Sequence, residues 1–458
     1  MSKTTRSPDF MKQPGHLDIL QRMRVGVPKE AAEQERRVAL VPETVERLAK
    51  QGIDCVVESG AGKGHSLDKD YEESGARVVS EAAQVYREAD IVVKVARPSE
   101  AEIPQMHEGQ VLLCFVNGPT EPELVEKLAE AGVTVFSNEA VPRTSVAQSM
   151  DALSSMGSIA GYKTAIIATD TLERYVPMLS TAAGTTKAAK VMVFGVAVAG
   201  LQAIAIMNRI GAEVFAYDIR PETRDQARSL GATFIDSNDE LEEDREKDEY
   251  EEYQPTGFRG MMTKLGFYSF AEPPREEYVV EGEEEESEAE EEEWTSEKLA
   301  EDQKLVRERI KEMDIVITTA LVPGRKAPTL VDREMVESMK PGSIVVDLAA
   351  ESGGNCELTE PGETVEHGRV RVLGPLNLPS RLPIHASQLL SRNMFNLVSH
   401  ITEDASEDEK DNNEKDPRLN LDFEDEIISG TCIAHAGEIR HEATRKALEN
   451  SRNESEAG

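Results

Sequence analysis

Short apolar runs alternate with amphipathic stretches along most of the chain. From Met23 the sequence MRVGVPKE reads as a strand and turn. Thr44–Gln51 (TVERLAKQ) follows with helical periodicity, and Asp54–Ser59 as a strand. Further strands are predicted at Ala76–Val79, Asp90–Val95, Gln110–Val116 and Val133–Asn138, with a helix over Glu121–Ala131. Strands separated by helices predict a parallel sheet covered on both faces. A helical stretch over Gln148–Leu172 leads to a second set of strands: Lys190–Phe194, Glu213–Asp218, Asp314–Thr318, Ser343–Leu348 and Val370–Leu373. Ala386–His400, apolar and amidic, predicts a long helix that returns to the first domain. The expectation is therefore an α/β protein of two domains with a ligand cleft between them. The first is discontinuous, residues 23–147 with 386–440; the second spans 148–385. Residues 1–22 and 441–458 are polar and are expected to be disordered extensions.

The pattern dissolves between Asp236 and Glu293, which hold 24 acidic and 5 basic residues for a net of −19. Glu403–Glu426 adds a net of −9. These two segments carry most of the chain's −36, so the folded body is only mildly acidic. A run such as Glu281–Glu293 (EGEEEESEAEEEE) cannot bury a core and reads as a solvated, disordered insertion. The same carboxylate density suits a chain that stays hydrated at high ionic strength. A balance this acidic argues against nucleic acid as a partner. Cys55, Cys114, Cys356 and Cys432 form no C-x-x-C pair, so neither a zinc site nor a disulfide framework is indicated, and a reducing cytoplasm is the default. No run approaches the ~18 apolar residues of a membrane span, and no signal-peptide core opens the chain.

The densest chemical signal is Val191–Arg220, VMVFGVAVAGLQAIAIMNRIGAEVFAYDIR. It reads as strand, glycine turn, amphipathic helix and second strand, the βαβ unit of a Rossmann-like domain that holds a dinucleotide. Gly195 allows the tight turn and Gly200 lets the helix pack close to the sheet, while the pyrophosphate sits on free N–H groups at the helix N-terminus. Asp218, 23 residues after Gly195, stands where a carboxylate accepts hydrogen bonds from a ribose and repels a 2′-phosphate, favouring NAD over NADP. One position departs from the G-x-G-x-x-G pattern: Ala197 replaces the middle glycine.

Several stretches carry a resemblance to a known family: RVALVPETVERL at Arg37–Leu48, VPRTSVAQSMDALSSMGSIAGY at Val141–Tyr162, the glycine turn, TTALVPGRKAP at Thr318–Pro328 and VVDLAAESGGNCE at Val345–Glu357. From about Met23 to Ile439 the chain resembles the soluble NAD(H)-binding part of the alpha subunit of proton-translocating NAD(P) transhydrogenases. The resemblance implies an Arg–Gln–Asp loop at the nicotinamide end of the cofactor, formed here by Arg143, Thr144, Ser145, Gln148, Asp151 and Ser154. Gln148, Arg143 and Asp151 would be its catalytic members. It likewise implies cofactor contacts from Val198, Asp218, Ile219, Arg220, Ala320 and Leu321. Hydride transfer between two nicotinamides needs no general acid or base, only orientation, short approach and exclusion of water. Gln148 offers a donor and an acceptor for a carboxamide or ribose hydroxyl. Arg143 either pairs with Asp151 or faces a phosphate; alternatively, Ser149 and Asp151 are simply good helix-start residues. No metal is implied.

The resemblance further implies that NADP sits on a partner, the NADP-binding beta subunit, and that a small membrane subunit completes the complex. This chain would be a homodimer, cytoplasmic and peripheral to the inner membrane through those subunits, with no insertion of its own. The family's mobile loop carries a Gly-Tyr pair. In its place stands the acidic insertion, whose aromatic candidates are Tyr268, Tyr278 and Trp294. Two other functions compete. An alanine dehydrogenase-like amino-acid oxidoreductase would use Arg37 and Lys94 for a keto acid, but the segment after Gln110, VLLCFVNGPTEPEL, lacks the histidine that such chemistry needs. The third is a non-catalytic NAD-binding protein with acidic arms.

Overall fold

The computed structural model describes residues 22–32, 34–62, 65–236, 296–321, 326–404 and 417–457. The polar opening and, past Asp236, the acidic insertion lie outside them. The described residues form two compact units, one drawn from Met1–Met156 and Pro379–Gly458, the other from Gly157–Leu378.

In chain order, the first unit supplies strands β1 (Arg24–Val27), β2 (Asp54–Glu58), β3 (Arg77–Val79), β4 (Ile91–Ala96), β5 (Val111–Phe115) and β6 (Thr134–Ser137). They are interleaved with helices α1 (Pro42–Lys50), α2 (Asp68–Glu73), α3 (Ala82–Glu88) and α4 (Pro122–Glu130). Sequence dictates these helices locally. In α1, Pro42 occupies the first turn, where its missing N–H costs nothing, Glu43 faces the positive helix end and Arg47 and Lys50 the negative end. Thr44, Val45 and Leu48 of the same helix are buried.

Helix α5 (Ala152–Thr171) contains the boundary between the units. The predicted helix over Gln148–Leu172 is interrupted: Gln148–Met150 is a 3-10 turn, and α5 starts only after Asp151. The second unit then builds β7 (Leu179–Thr181), β8 (Gly184–Thr186), β9 (Lys190–Phe194), α6 (Val198–Ile210), β10 (Glu213–Tyr217), α7 (Thr223–Ser229) and β11 (Thr233–Phe234). After the insertion come α8 (Ser296–Ile310), β12 (Ile315–Thr318), α9 (Arg333–Ser338), β13 (Ile344–Asp347), β14 (Thr364–His367) and β15 (Val370–Leu373). The chain returns through α10 (Pro383–His400), β16 (Thr402–Asp404), β17 (Pro417–Leu419), α11 (Glu426–Thr431), β18 (Cys432–His435), β19 (Glu438–Ile439) and α12 (Glu442–Ala457).

The first sheet has the order β19-β18-β6-β5-β4-β1-β2-β3 and the second β11-β10-β9-β12-β13-β15-β14. Both are parallel through their centres, as the apolar runs predict, with antiparallel strands added at β18–β19 and β14. Each reverses direction once, between β1 and β4 in the first and between β9 and β12 in the second. Open α/β sheets take their ligands in the crevice at such switch points, outside the strand carboxyl ends. In the second sheet alternate residues face opposite layers. Val191, Val193, Ile315 and Ile317 pack with Ala203, Ile204 and Met207 of α6, whereas Met192, Phe194 and Val316 pack with Val306 and Ile310 of α8. Burial on both faces is why these strands read as unbroken apolar runs.

One expectation is overturned. Residues 441–458, read as a disordered tail, form helix α12 over Glu442–Ala457. Thr444 and Leu448 are buried, Ser451 hydrogen-bonds Glu123 of α4, and Arg452 pairs with Glu126. Its buried side chains, Thr444 and Leu448, are too few to read as an apolar stripe, so its composition hides it.

Candidate dinucleotide site

At the carboxyl end of β9, Gly195 adopts φ +88°, a conformation that side chains disfavour. Its N–H donates to the Tyr217 carbonyl (2.9 Å). Gly200 is required for a different reason. A Cβ there would lie 1.8 Å from the Gly195 carbonyl oxygen, so the first turn of α6 closes on the glycine turn only without a side chain. Ala197 is the residue preceding α6 and makes no side-chain cap, which leaves the first-turn N–H groups to face an anion. The glycine cradle and the uncapped helix start fit a dinucleotide pyrophosphate. The Ala197 methyl is accommodated in extended backbone, φ −86° and ψ −172°.

Asp218 follows β10, buried, and its carboxylate ties the turn together. Oδ2 accepts from the Val196 N–H (2.7 Å) and from Arg220 Nη2 (3.0 Å), while Oδ1 accepts from the Arg220 N–H (2.9 Å) and Nε (3.0 Å). Burial alone would raise its pKa. The Arg220 guanidinium and the two backbone N–H groups outweigh that, holding the carboxyl below the usual aspartate range. Arg220, though exposed, is thus folded back onto Asp218 rather than extended. Around this turn Val198, Ile219 and Leu321 are exposed, an apolar rim at the strand carboxyl ends.

Across the switch point, Thr319 donates its hydroxyl to the Gly195 carbonyl (2.9 Å). Ala320 is gripped by Asn355, whose Oδ1 accepts the Ala320 N–H (3.0 Å) and whose Nδ2 donates to the Ala320 carbonyl (2.9 Å) and to that of Pro328 (2.8 Å). Asn355 is held in turn by Asp347, fully buried at the end of β13, which accepts from the N–H groups of Ala349, Asn355 and Cys356 and from the Thr359 hydroxyl. Sequence reasoning singles out Ala320 and Leu321 but misses Thr319, Asp347 and Asn355. The only signal is their place in the two signature stretches TTALVPGRKAP and VVDLAAESGGNCE.

The first unit carries the second group of candidates. Arg143, Ser145 and Gln148 are exposed, Thr144 is half-buried, and the buried Ala147 and Met150 anchor the loop on either side of Gln148. Asp151 accepts from the Ser154 N–H (2.8 Å) and hydroxyl (2.5 Å), capping α5. No ion pair among the described residues joins Arg143 to Asp151.

The first sheet's own switch point is furnished differently. Glu30, just after β1, accepts from the N–H groups of Val95 (2.6 Å) and Ala96 (3.3 Å) on β4. Lys94 donates to Glu102 (2.6 Å), lies 3.8 Å from Glu30, and shares Glu102 with the Tyr86 hydroxyl (2.6 Å). Burial pushes the Glu30 carboxyl up despite Lys94. Burial would lower the Lys94 pKa, but Glu30 and Glu102 raise it, so the group stays an ammonium. Arg37 is clamped by Glu35 through two bonds of 2.8 and 2.6 Å. No group of three or more potential metal ligands occurs among the described residues.

Comparison with known proteins agrees with this architecture. The models of the alanine dehydrogenase/PNT N-terminal and C-terminal domains match residues 26–160 and 164–442. An NAD(P) transhydrogenase subunit alpha polypeptide of Rhodospirillum rubrum is 40% identical over 92% of this chain and 98% of its own. Among solved structures, a transhydrogenase from Sinorhizobium meliloti superposes with a TM-score of 0.70 at 36% identity, covering 92% of this chain and 99% of that one. An L-alanine dehydrogenase superposes at 0.69 and 25% identity, over 93% and 99%. A fold of two Rossmann-like units, a glycine turn of the dinucleotide type and these matches lead to one conclusion: the chain belongs to the alanine dehydrogenase/PNT family.

Proposed function

We propose that this chain is the NAD(H)-binding component of a proton-translocating NAD(P) transhydrogenase. Its residues would hold NAD(H) for direct hydride exchange with NADP(H) on a partner beta subunit, and the proton path would lie in membrane subunits. The second unit holds the dinucleotide. The α6 N-terminus faces its pyrophosphate, and Asp218 with Arg220 borders the adenosine ribose, where the carboxylate selects against a 2′-phosphate. Gln148 orients the nicotinamide end, and Arg143 and Asp151 shape the loop around it. The chain is read as a homodimer, attached at the cytoplasmic side of the membrane through its partners. No described helix is long and apolar enough to cross a membrane.

The observation that carries this reading over amino-acid oxidation is the state of Arg37 and Lys94. A keto-acid carboxylate would have to displace Glu35 from the first and Glu102 from the second, at sites where those pairs are buried. An ammonium kept charged by two carboxylates is no proton acceptor, and no histidine stands in the segment after Gln110.

The test is reduction of an NAD analogue by NADPH. The chain alone is expected to be inactive and to turn over once an NADP-binding partner subunit is added. Turnover of alanine with NAD by the chain alone overturns the proposal in favour of the dehydrogenase. NADH binding without turnover in either assay overturns it in favour of a non-catalytic binder.

A further inference from the structure

Gln148 projects from a 3-10 turn whose central residue, Ser149, is held from outside the turn. The Ser149 carbonyl accepts two hydrogen bonds, from Nδ2 of Asn393 and from Nδ2 of Asn396, both at 2.9 Å. Both asparagines lie on α10, three residues apart and therefore on one face of a single helix. A carbonyl oxygen has two lone pairs, so the Ser149 acceptor is saturated by one rigid element. With Ala147 and Met150 buried on either side, the backbone around Gln148 is fixed at three points while its side chain stays exposed.

Asn393 shows what this arrangement costs. Its Oδ1 is buried and has no hydrogen-bond partner among the described residues. A bare buried acceptor is unfavourable, and an apolar side chain of similar size would avoid it. The amide is held at this position for its donor, and that donor serves Ser149.

We propose that Asn393 and Asn396 are positioning residues for Gln148: by fixing the Ser149 peptide they set the direction in which the Gln148 amide meets the nicotinamide. The inference rests on the reading of Gln148 as the orienting group, and it predicts an effect on turnover rather than on affinity.

The experiment uses the full chain with its NADP-binding partner, NADPH as donor and an acetylpyridine analogue of NAD as acceptor. Asn396 is only half-buried, so Asn396→Ala keeps the fold. Its turnover is expected to fall about tenfold while the KM for the analogue and the NADH dissociation constant stay within about twofold. Asn396→Gln, which keeps an amide donor, should recover part of the loss. In the double variant Gln148→Asn with Asn396→Ala, the second change should add less than about twofold to the first, because both act through one side chain. Unchanged turnover in Asn393→Ala and Asn396→Ala beside a strong loss in Gln148→Asn overturns this inference alone. So do losses that multiply in the double variant. Full turnover in Gln148→Asn overturns the underlying reading of Gln148 and this one with it.

Discussion

At the carboxyl end of β9 the chain places two glycines, an uncapped helix start and a carboxylate that faces backbone N–H groups. At the corresponding reversal between β1 and β4 it places Glu30, Lys94 and Glu102, bonded to one another and to the strand ends. The two sheets share their switch-point topology, so topology alone provides a crevice in each. What differs is how the chain's own side chains use the hydrogen-bonding groups there. In the second unit they leave helix N–H groups facing outward. In the first they pair among themselves: Lys94 with Glu102 and Glu30, and Glu30 with the Val95 and Ala96 N–H groups.

This contrast can be broken most forcefully at Lys94. Lys94→Met strands Glu30 and Glu102 in a buried site and should cost about 3–5 kcal/mol of stability, read as a drop in the denaturation midpoint. NADH affinity measured on the folded protein should not change. A neutral substitution would mean that the network is not what fills the first crevice. The mirror experiment is Gly200→Ala. Its methyl would overlap the Gly195 carbonyl, so α6 must move away, and NADH affinity should fall by about a hundredfold, roughly 3 kcal/mol. Calorimetric titration would show it, and retained affinity would place the pyrophosphate elsewhere.

Asp218 and Glu30, one from each crevice, have opposite pH dependences. Asp218 has a lowered folded pKa, so its contribution is present above the unfolded value, about 3.9, and is lost as pH falls through the folded pKa. Asp218→Asn should therefore be about 2 kcal/mol less stable than the parent at pH 7, with the gap closing only below pH ~4. Glu30 has a raised folded pKa; its contribution is present below about 4.3 and lost as pH rises through the folded value. Glu30→Gln should thus gain on the parent toward neutral pH, the reverse trend. Parallel pH profiles for the two variants would erase the distinction. The smallest effect is expected from deleting Glu242–Glu293 with a short linker. The deletion removes none of the residues assigned to the dinucleotide site, so NADH affinity should stay within about twofold.

The parts of the molecule readable in the sequence are those encoded by neighbours in the chain. Parallel strands buried on both faces announce themselves as apolar runs, and the glycine turn, Ala197 and Asp218 fall within one βαβ unit. The illegible parts are pairings across long separations. Glu30 meets Val95, Asn355 grips Ala320, and Asn393 reaches Ser149, and no local periodicity marks a polar residue as another's partner. Asp218 shows the two levels in one residue. Its place at the strand end is evident in the sequence, but its engagement by Arg220 and the Val196 N–H depends on how the turn folds back. Helix α12 is hidden because its docking rests on Leu448 and polar contacts to α4 rather than on an apolar stripe.

The first sheet is assembled from both ends of the chain, and that fixes an order of events during synthesis. Strand β6 emerges early, but its neighbour β18 follows after about 300 further residues, which at roughly 5–20 residues per second leaves an interval of about 15–60 s. For that time the edge of β6 and the apolar positions later covered by Ile433 and Ala434 have no native cover. An unpaired apolar edge is a template for wrong partners. The second unit, whose last strand ends at Leu373, has all of its sheet before β18 is made. The nascent chain therefore passes through a stage in which the dinucleotide domain is whole and its companion is open at one side, and holdase protection is needed most at that stage.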